Sequence, residues 1–155
     1  MLEILTGNFF AIFGAAIAFI FAGFGSSKGV GLAGEAGAGV LTEDPGKFGP
    51  VMVLQALPST QAIYAFVIAF LTIQKVVMGD SLSIAEGFIL FAGCIPVGFV
   101  GWISGIAQGR VAAAGINMIA KRADGLGRAI IMALMVEMFA ILGFIVSILM
   151  IGKVA

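Results

Sequence analysis

Four long apolar runs alternate with short polar connections along this chain. Apolar residues dominate roughly 8–27, 50–74, 85–107 and 128–151. Each run has the roughly 20 residues that a helix needs to cross about 30 Å of hydrocarbon. The connections differ in kind. GEAGAGVLTEDPGKFG is Gly-rich and carries a Glu-Asp-Pro-Gly turn signal, QKVVMGDS is short, and AKRADGLGR holds a Lys-Arg pair and an Asp-Gly turn. The pattern predicts an all-α membrane protein with four transmembrane helices in a single membrane domain spanning 1–155. The first run follows Glu3 rather than a Lys or Arg and is too long for the apolar core of a secretion signal. It is expected to stay as the first span.

The pattern also repeats. GSSKGVGLAGEAGAG parallels GIAQGRVAAAGINMIA, and YAFVIAFL parallels LGFIVSIL. Each half, roughly 8–75 and 85–152, is then one helical hairpin, and the two copies have the same topology, so the repeat is parallel rather than inverted. In the later alignment Ser59 stands opposite Glu137. In the first and third helices, Gly25, Gly29, Ala33 and Gly37 fall four apart, as do Gly101, Gly105, Gly109 and Ala113. That spacing lets helix backbones approach closely. It fits an inner ring of thin, tightly packed helices, with the ordinary packing of a lone bundle as the plainer alternative. Phe66, Phe70, Met132, Met138, Phe139 and Phe144 give the second and fourth helices bulk suited to an outer, lipid-facing layer.

Composition sharpens the class. The chain is 61% hydrophobic and 10% charged, with mean hydropathy +1.20, whereas a soluble domain has about 25% charged residues. The formal net charge is zero with no basic surface, so nucleic acid is not an expected partner. The absence of His removes the commonest metal ligand and the usual catalytic base. Cys94 lies in an apolar run and reads as a buried thiol. Lys28, Lys47, Arg110, Lys121, Arg122 and Arg128 belong to the first and third connections with their flanking helix ends, against Lys75 and Lys153 on the other side. The positive-inside rule then places those two loops in the cytoplasm and both termini outside a cell membrane. Lys28 and Arg110, expected near helix ends, read as snorkelling cations.

From Ala129 to Ile151 the one charge is Glu137. A charge near the bilayer midplane costs about 2.5–3.5 kcal/mol on insertion scales, which makes such a residue a candidate functional site. At about 1.5 Å per residue from the cytoplasmic side, Glu137 and Gln108 lie roughly 15 Å deep, and Thr60 and Gln61 roughly 15–20 Å. They can share a layer, and Tyr64, one turn beyond Thr60, adds a hydroxyl. Pro58 lacks an N–H and crowds the preceding turn, which loosens the backbone there and frees carbonyls near Leu54 and Leu57. Irregular backbone at membrane depth is tolerated where it lines a protein-buried site.

Carboxylate, carbonyl, amide and hydroxyl oxygens suit a small hard cation. One carboxylate with one monovalent cation makes a neutral site that can face lipid. Without a cation, desolvation favours a proton on the carboxyl. Na⁺ and H⁺ are therefore the two candidate cargoes, and the extra oxygens argue for Na⁺. Against this stand plainer roles: Glu137 as a structural hydrogen-bonding residue, and Gln61 and Gln108 as interhelical glue.

FGSSKGVGLAGEA, LPSTQAIYAF, SGIAQGRVAAAG and MVEMFAILGF together resemble the membrane rotor proteolipid family of V-type ATPases, known as the K or c type, over nearly the whole chain. The resemblance implies a four-helix hairpin of hairpins whose copies form a ring, with the first and third helices inside. It implies that Glu137 is the essential carboxylate. By likeness to the sodium-translocating bacterial members, it implies Na⁺ ligands at Thr60, Gln61, Gln108, Glu137 and the backbone carbonyl of Leu57, with Tyr64 hydrogen-bonded to Glu137. Met138-Phe139 departs from the Thr-Tyr of the closest sodium-type pattern. The implied partners are identical copies, lipid, a stator protein whose Arg faces Glu137, and a central stalk seated on the cytoplasmic loops. The chain is not expected to be an enzyme on its own. Alternatives are a proton-carrying ring, a small oligomeric channel or secondary transporter, and a membrane scaffold. The missing inverted repeat weighs against a typical transporter, and the single polar layer against a channel.

Overall fold

The computed structural model describes residues 6–78 and 81–154, and they are helical almost throughout, with no strand among them. Helix α1 covers Gly7–Glu43. A second helical rod consists of α2 (Phe48–Ala56) and α3 (Thr60–Met78), joined by a 3₁₀ turn at Leu57–Ser59. Helices α4 (Ile84–Lys121) and α5 (Leu126–Ile151) form the second half. Four rods are thus long and apolar enough to cross a membrane, and the protein is a multi-pass membrane protein built of two tandem hairpins.

Both long helices have defined starts. Thr6 accepts the Phe9 N–H through its hydroxyl (3.2 Å), which satisfies one of the free donors of a helix start. Ser83 and Glu86 close a reciprocal capping box at the head of α4. At the other end of α1, Asp44 accepts the Gly46 N–H at 3.1 Å and Pro45 cannot continue a helix.

The first and third helices are much longer than their apolar runs. Expected to end near 27 and 107, they run to Glu43 and Lys121, so most of GEAGAGVLTEDPGKFG is helix and the connection shrinks to 44–47. Gln108, expected in the same layer as Glu137, lies inside α4, and Lys28 and Arg110 are exposed mid-helix residues rather than helix-end ones. Likewise Gln74–Met78, read as a connection, completes α3; Gly79 and Asp80 of QKVVMGDS lie outside the described residues. The cause is packing. Glycine weakens an isolated helix by about 1 kcal/mol relative to alanine, but here it opens the seam that holds α1 against α4. The two helices run parallel. Gly25 and Gly29 are buried against Gly101, Gly105 and Gly109 of α4. Ala33 and Gly37 are buried further along, Gly37 facing Val51 of α2 and Ile116, and the buried positions of α4 continue at Ala112 and Ile116 rather than Ala113. A Cβ added at Gly25 would come within 2.5 Å of the Gly101 and Trp102 carbonyl oxygens.

Bulk is not confined to the other two rods. Phe9, Phe13, Phe19 and Phe24 of α1 and Phe99 of α4 are exposed on the faces turned away from the seam. Phe66, Phe70, Met132, Met138 and Phe139 are exposed as expected. Phe144 is not: it is half-buried and stacks on Tyr64. The two halves are tied at both ends. Lys47 donates to the Ala120 carbonyl at the foot of α4, and Lys75 to the Val154 carbonyl after α5. Asn8 accepts the Leu82 N–H at 3.1 Å.

Candidate ion site

Three rods converge on one carboxylate. Glu137, on the fourth turn of α5, is 5% exposed, and Gln61 of α3 and Gln108 of α4 are fully buried beside it. The kinked rod supplies the largest share. Pro58 cannot donate at the start of the 3₁₀ turn, and Thr60 instead sends both its N–H and its hydroxyl back toward the Leu57 carbonyl, the hydroxyl at 3.0 Å. Ser59 caps the same turn through the Ala56 carbonyl at 2.6 Å. Immediately past the kink, the Ala62 N–H donates to the Ser26 hydroxyl of α1 at 3.0 Å. That bond holds the first turn of α3 in place while Thr60, Gln61 and Tyr64 project toward α5.

Both carboxylate oxygens accept. Glu137 Oε2 takes the Thr60 hydroxyl at 2.7 Å, Gln108 Nε2 at 2.8 Å and Gln61 Nε2 at 3.3 Å. Oε1 takes the Tyr64 hydroxyl at 2.6 Å. Hydrogen bonds to a carboxylate are about twice as strong as neutral ones, and here they lie where water does not compete. The two glutamines are cross-linked, with Gln61 Nε2 donating to Gln108 Oε1 at 2.7 Å. Gln108 Nε2 also reaches the Ala133 carbonyl, one turn before Glu137, at 3.1 Å. Thr60 has a single hydroxyl proton for two acceptors, Leu57 O and Glu137 Oε2, so only one of the two contacts is a hydrogen bond at any instant. Gln61 Oε1 is buried without a hydrogen-bond partner.

Four of the expected site residues, Thr60, Gln61, Tyr64 and Gln108, thus touch Glu137 directly, and Leu57 joins through Thr60. Sequence reasoning missed Ser26, the Ala133 carbonyl and Phe144. A signal existed for the first alone: a serine one turn before Gly29, facing the rod that Pro58 kinks. Among the described residues no three His, Cys, Asp or Glu side chains gather, so the site has one formal charge. It matches a monovalent cargo or a proton rather than a divalent ion.

The fold and the site define a class: a membrane proteolipid with one carboxylate embedded among uncharged oxygen donors between two hairpins. The profile of the ATP synthase C-subunit family matches twice, over residues 13–72 and 91–150, and the chain belongs to that family. The two matched stretches are offset by the interval that sets Ser59 opposite Glu137. Over 145 residues it is 48% identical to the V-type sodium ATPase subunit K of Enterococcus hirae, covering 94% of this chain and 92% of that one. It is 37% identical over 137 residues to the A-type ATP synthase subunit K of Methanocaldococcus jannaschii, covering 88% of this chain and 59% of that relative's length. It is 26% identical over 145 residues to the 16 kDa proteolipid of the V-type proton ATPase of Nephrops norvegicus, covering 94% and 91%. The chain is accordingly a non-catalytic rotor proteolipid of a V/A-type ATPase, and members of the family assemble as rings. Membership assigns it to a rotor rather than to a small channel or a secondary transporter.

Proposed function

We propose that this chain carries Na⁺ on Glu137 between two half-channels of a stator as the ring turns. One observation carries the reading. A single buried carboxylate is surrounded by the Thr60 hydroxyl and two amides, and one of those amide oxygens, Gln61 Oε1, has no protein partner. A proton needs one acceptor, whereas a Na⁺ ion needs several oxygens at once. The ligands are then Glu137, Gln108 Oε1, Gln61 Oε1, Thr60 Oγ1 and the Leu57 carbonyl, and Tyr64 steadies the carboxylate from its other oxygen. The name of the 48%-identical relative, from a sodium ATPase, points the same way.

The mechanism follows from neutrality. A loaded site has no net charge, so it can pass along lipid at little cost, whereas an ionised Glu137 alone cannot. At the stator an arginine pairs with the carboxylate and displaces the cation into one half-channel; past it the site reloads from the other. ATP hydrolysis elsewhere in the complex turns a central stalk seated on the two cytoplasmic connections, 44–47 and 122–125. Both termini then face outward across a cell membrane, and 1–155 acts as one membrane domain whose repeats span roughly 8–75 and 85–152.

A hydrophobic carbodiimide, which attacks the protonated carboxyl, provides the test. At fixed pH, Na⁺ is expected to slow modification of Glu137 and an equal concentration of K⁺ to leave it unchanged. Should pH alone set the rate, the ring carries protons, in line with the 26%-identical proton ATPase relative, and the glutamines only hydrogen-bond Glu137.

A further inference from the structure

The geometry points to Phe144 as a positioning residue: its stack on Tyr64 holds the tyrosine hydroxyl on Glu137 and thereby governs how readily the carboxylate exchanges its cargo. This extends the proposed carrier role of Glu137 and rests on it.

The two carboxylate oxygens are held unequally. Oε2 has three donors on two helices, while among the described hydrogen bonds Oε1 has Tyr64 alone. Any outward swing of the carboxylate must therefore break the Tyr64 contact, and the strength of that latch depends on what keeps the phenol ring in its rotamer. Tyr64 is half-buried, and its ring lies on that of Phe144 with centroids 5.2 Å apart and planes 29° from parallel. Other aromatic rings nearby on the same rod pair elsewhere: Phe66 meets Phe19 and Phe70.

Phe144 stands two turns along α5 from Glu137, on a segment fixed against α4. A Cβ added at Gly143 would lie 3.2 Å from the Pro96 carbonyl and 3.1 Å from Val100 Cβ. Ser147 accepts the Val97 N–H at 3.0 Å. The Pro96–Val97 step of α4 therefore anchors the turn that bears Phe144, Phe144 orients Tyr64, and Tyr64 closes on Glu137. The aromatic ring is the component that matters, because an aliphatic side chain of similar volume cannot stack.

Membranes containing the assembled complex allow the test, with carbodiimide labelling of Glu137 as the readout. F144L is expected to raise both the labelling rate at fixed pH and the Na⁺ concentration that halves it, by roughly two- to tenfold. F144Y, which keeps the stack, should stay within about twofold of wild type. Y64F should shift both quantities in the same direction, and F144L added to Y64F should shift them no further. Wild-type behaviour in F144L overturns the inference. So does an equal F144L shift with or without the Tyr64 hydroxyl, which would mark a general packing defect. If Na⁺ fails to protect the wild-type complex, the sodium reading falls, while the labelling rates of the four variants relative to wild type at one pH still decide the role of Phe144.

Discussion

Replacing Glu137 by glutamine is expected to abolish ion transport while leaving the bundle folded. The amide keeps the volume, and its oxygen can still accept the Tyr64 hydroxyl. The new NH₂ group would face Thr60, Gln61 and Gln108, all of which now donate to Oε2. Thr60 can turn its proton to Leu57, and the two glutamines can turn together and keep their cross-link, which leaves Gln61 Nε2 in the place of its partnerless oxygen as one local cost. The charge has no substitute. A cation in such a site would sit uncompensated in a buried environment, a loss of about 3–5 kcal/mol. At about 1.4 kcal/mol per tenfold, affinity falls by two to three orders of magnitude or more. ATP-driven radioactive Na⁺ uptake into vesicles bearing the complex should drop to background, and carbodiimide incorporation into this chain should vanish with it. Uptake that survives E137Q would remove Glu137 from the carrier role altogether.

The site was legible in the sequence because depth is a one-dimensional property. A helix advances by a fixed rise, so the positions of Glu137, Gln61 and Thr60 along their runs place them in one layer, whatever the angles between the helices, and Gln108, one residue past the run that ends near 107, joins them because α4 continues to Lys121. Azimuth is not legible in that way. Nothing in the sequence distinguishes Phe144, which turns inward onto Tyr64, from Phe139, which is 64% exposed on the same helix. Both read as bulk for the lipid face. Helix ends are hard to read for a related reason. Hydropathy follows the lipid, and Gly-rich GSSKGVGLAGEAGAG looks like a place where helix gives way to loop. Gly25 and Gly29 instead sit on a face that is favourable only once α4 lies against it. The stabilising contact comes from outside the helix, so no local property of α1 reports it. Ser147, which catches the Val97 N–H, is hidden likewise, since a hydroxyl in a membrane helix can turn to its own preceding turn instead, as Ser27 does toward the Phe24 carbonyl at 3.1 Å.

A single methyl group at Gly105 should damage both assembly and the ion site. A Cβ there would lie 2.6 Å from the Gly25 carbonyl carbon and 2.9 Å from the Ser26 backbone nitrogen. Both are backbone atoms of a helix in the middle of its length, so neither can rotate away, and the seam must open along the whole of α1. Overpacking of a close-packed interior costs about 1–3 kcal/mol where side chains can adjust, and G105A is expected at or above the top of that range. The apolar tails of lipid offer no compensating drive to press the helices back together. The effect reaches function because Gly105 lies one turn from Gln108, and Ser26, which it would push, holds the Ala62 N–H at the start of α3. Displacing either spreads Gln108 and Gln61 apart and lengthens their 2.7 Å bond. The purified G105A protein should unfold at a markedly lower temperature in detergent, and whatever survives should show weakened Na⁺ protection of Glu137. Gly31→Ala supplies the contrast, since a Cβ there meets nothing in the chain within 4 Å, and alanine favours the helix. If G31A is neutral while G105A fails, the α1–α4 backbone contact is what the glycines serve. If G105A is as stable as wild type, the helices are not in contact at that level. A deficit in G31A instead would locate a second close contact on the opposite face of α1, made by another copy of the chain.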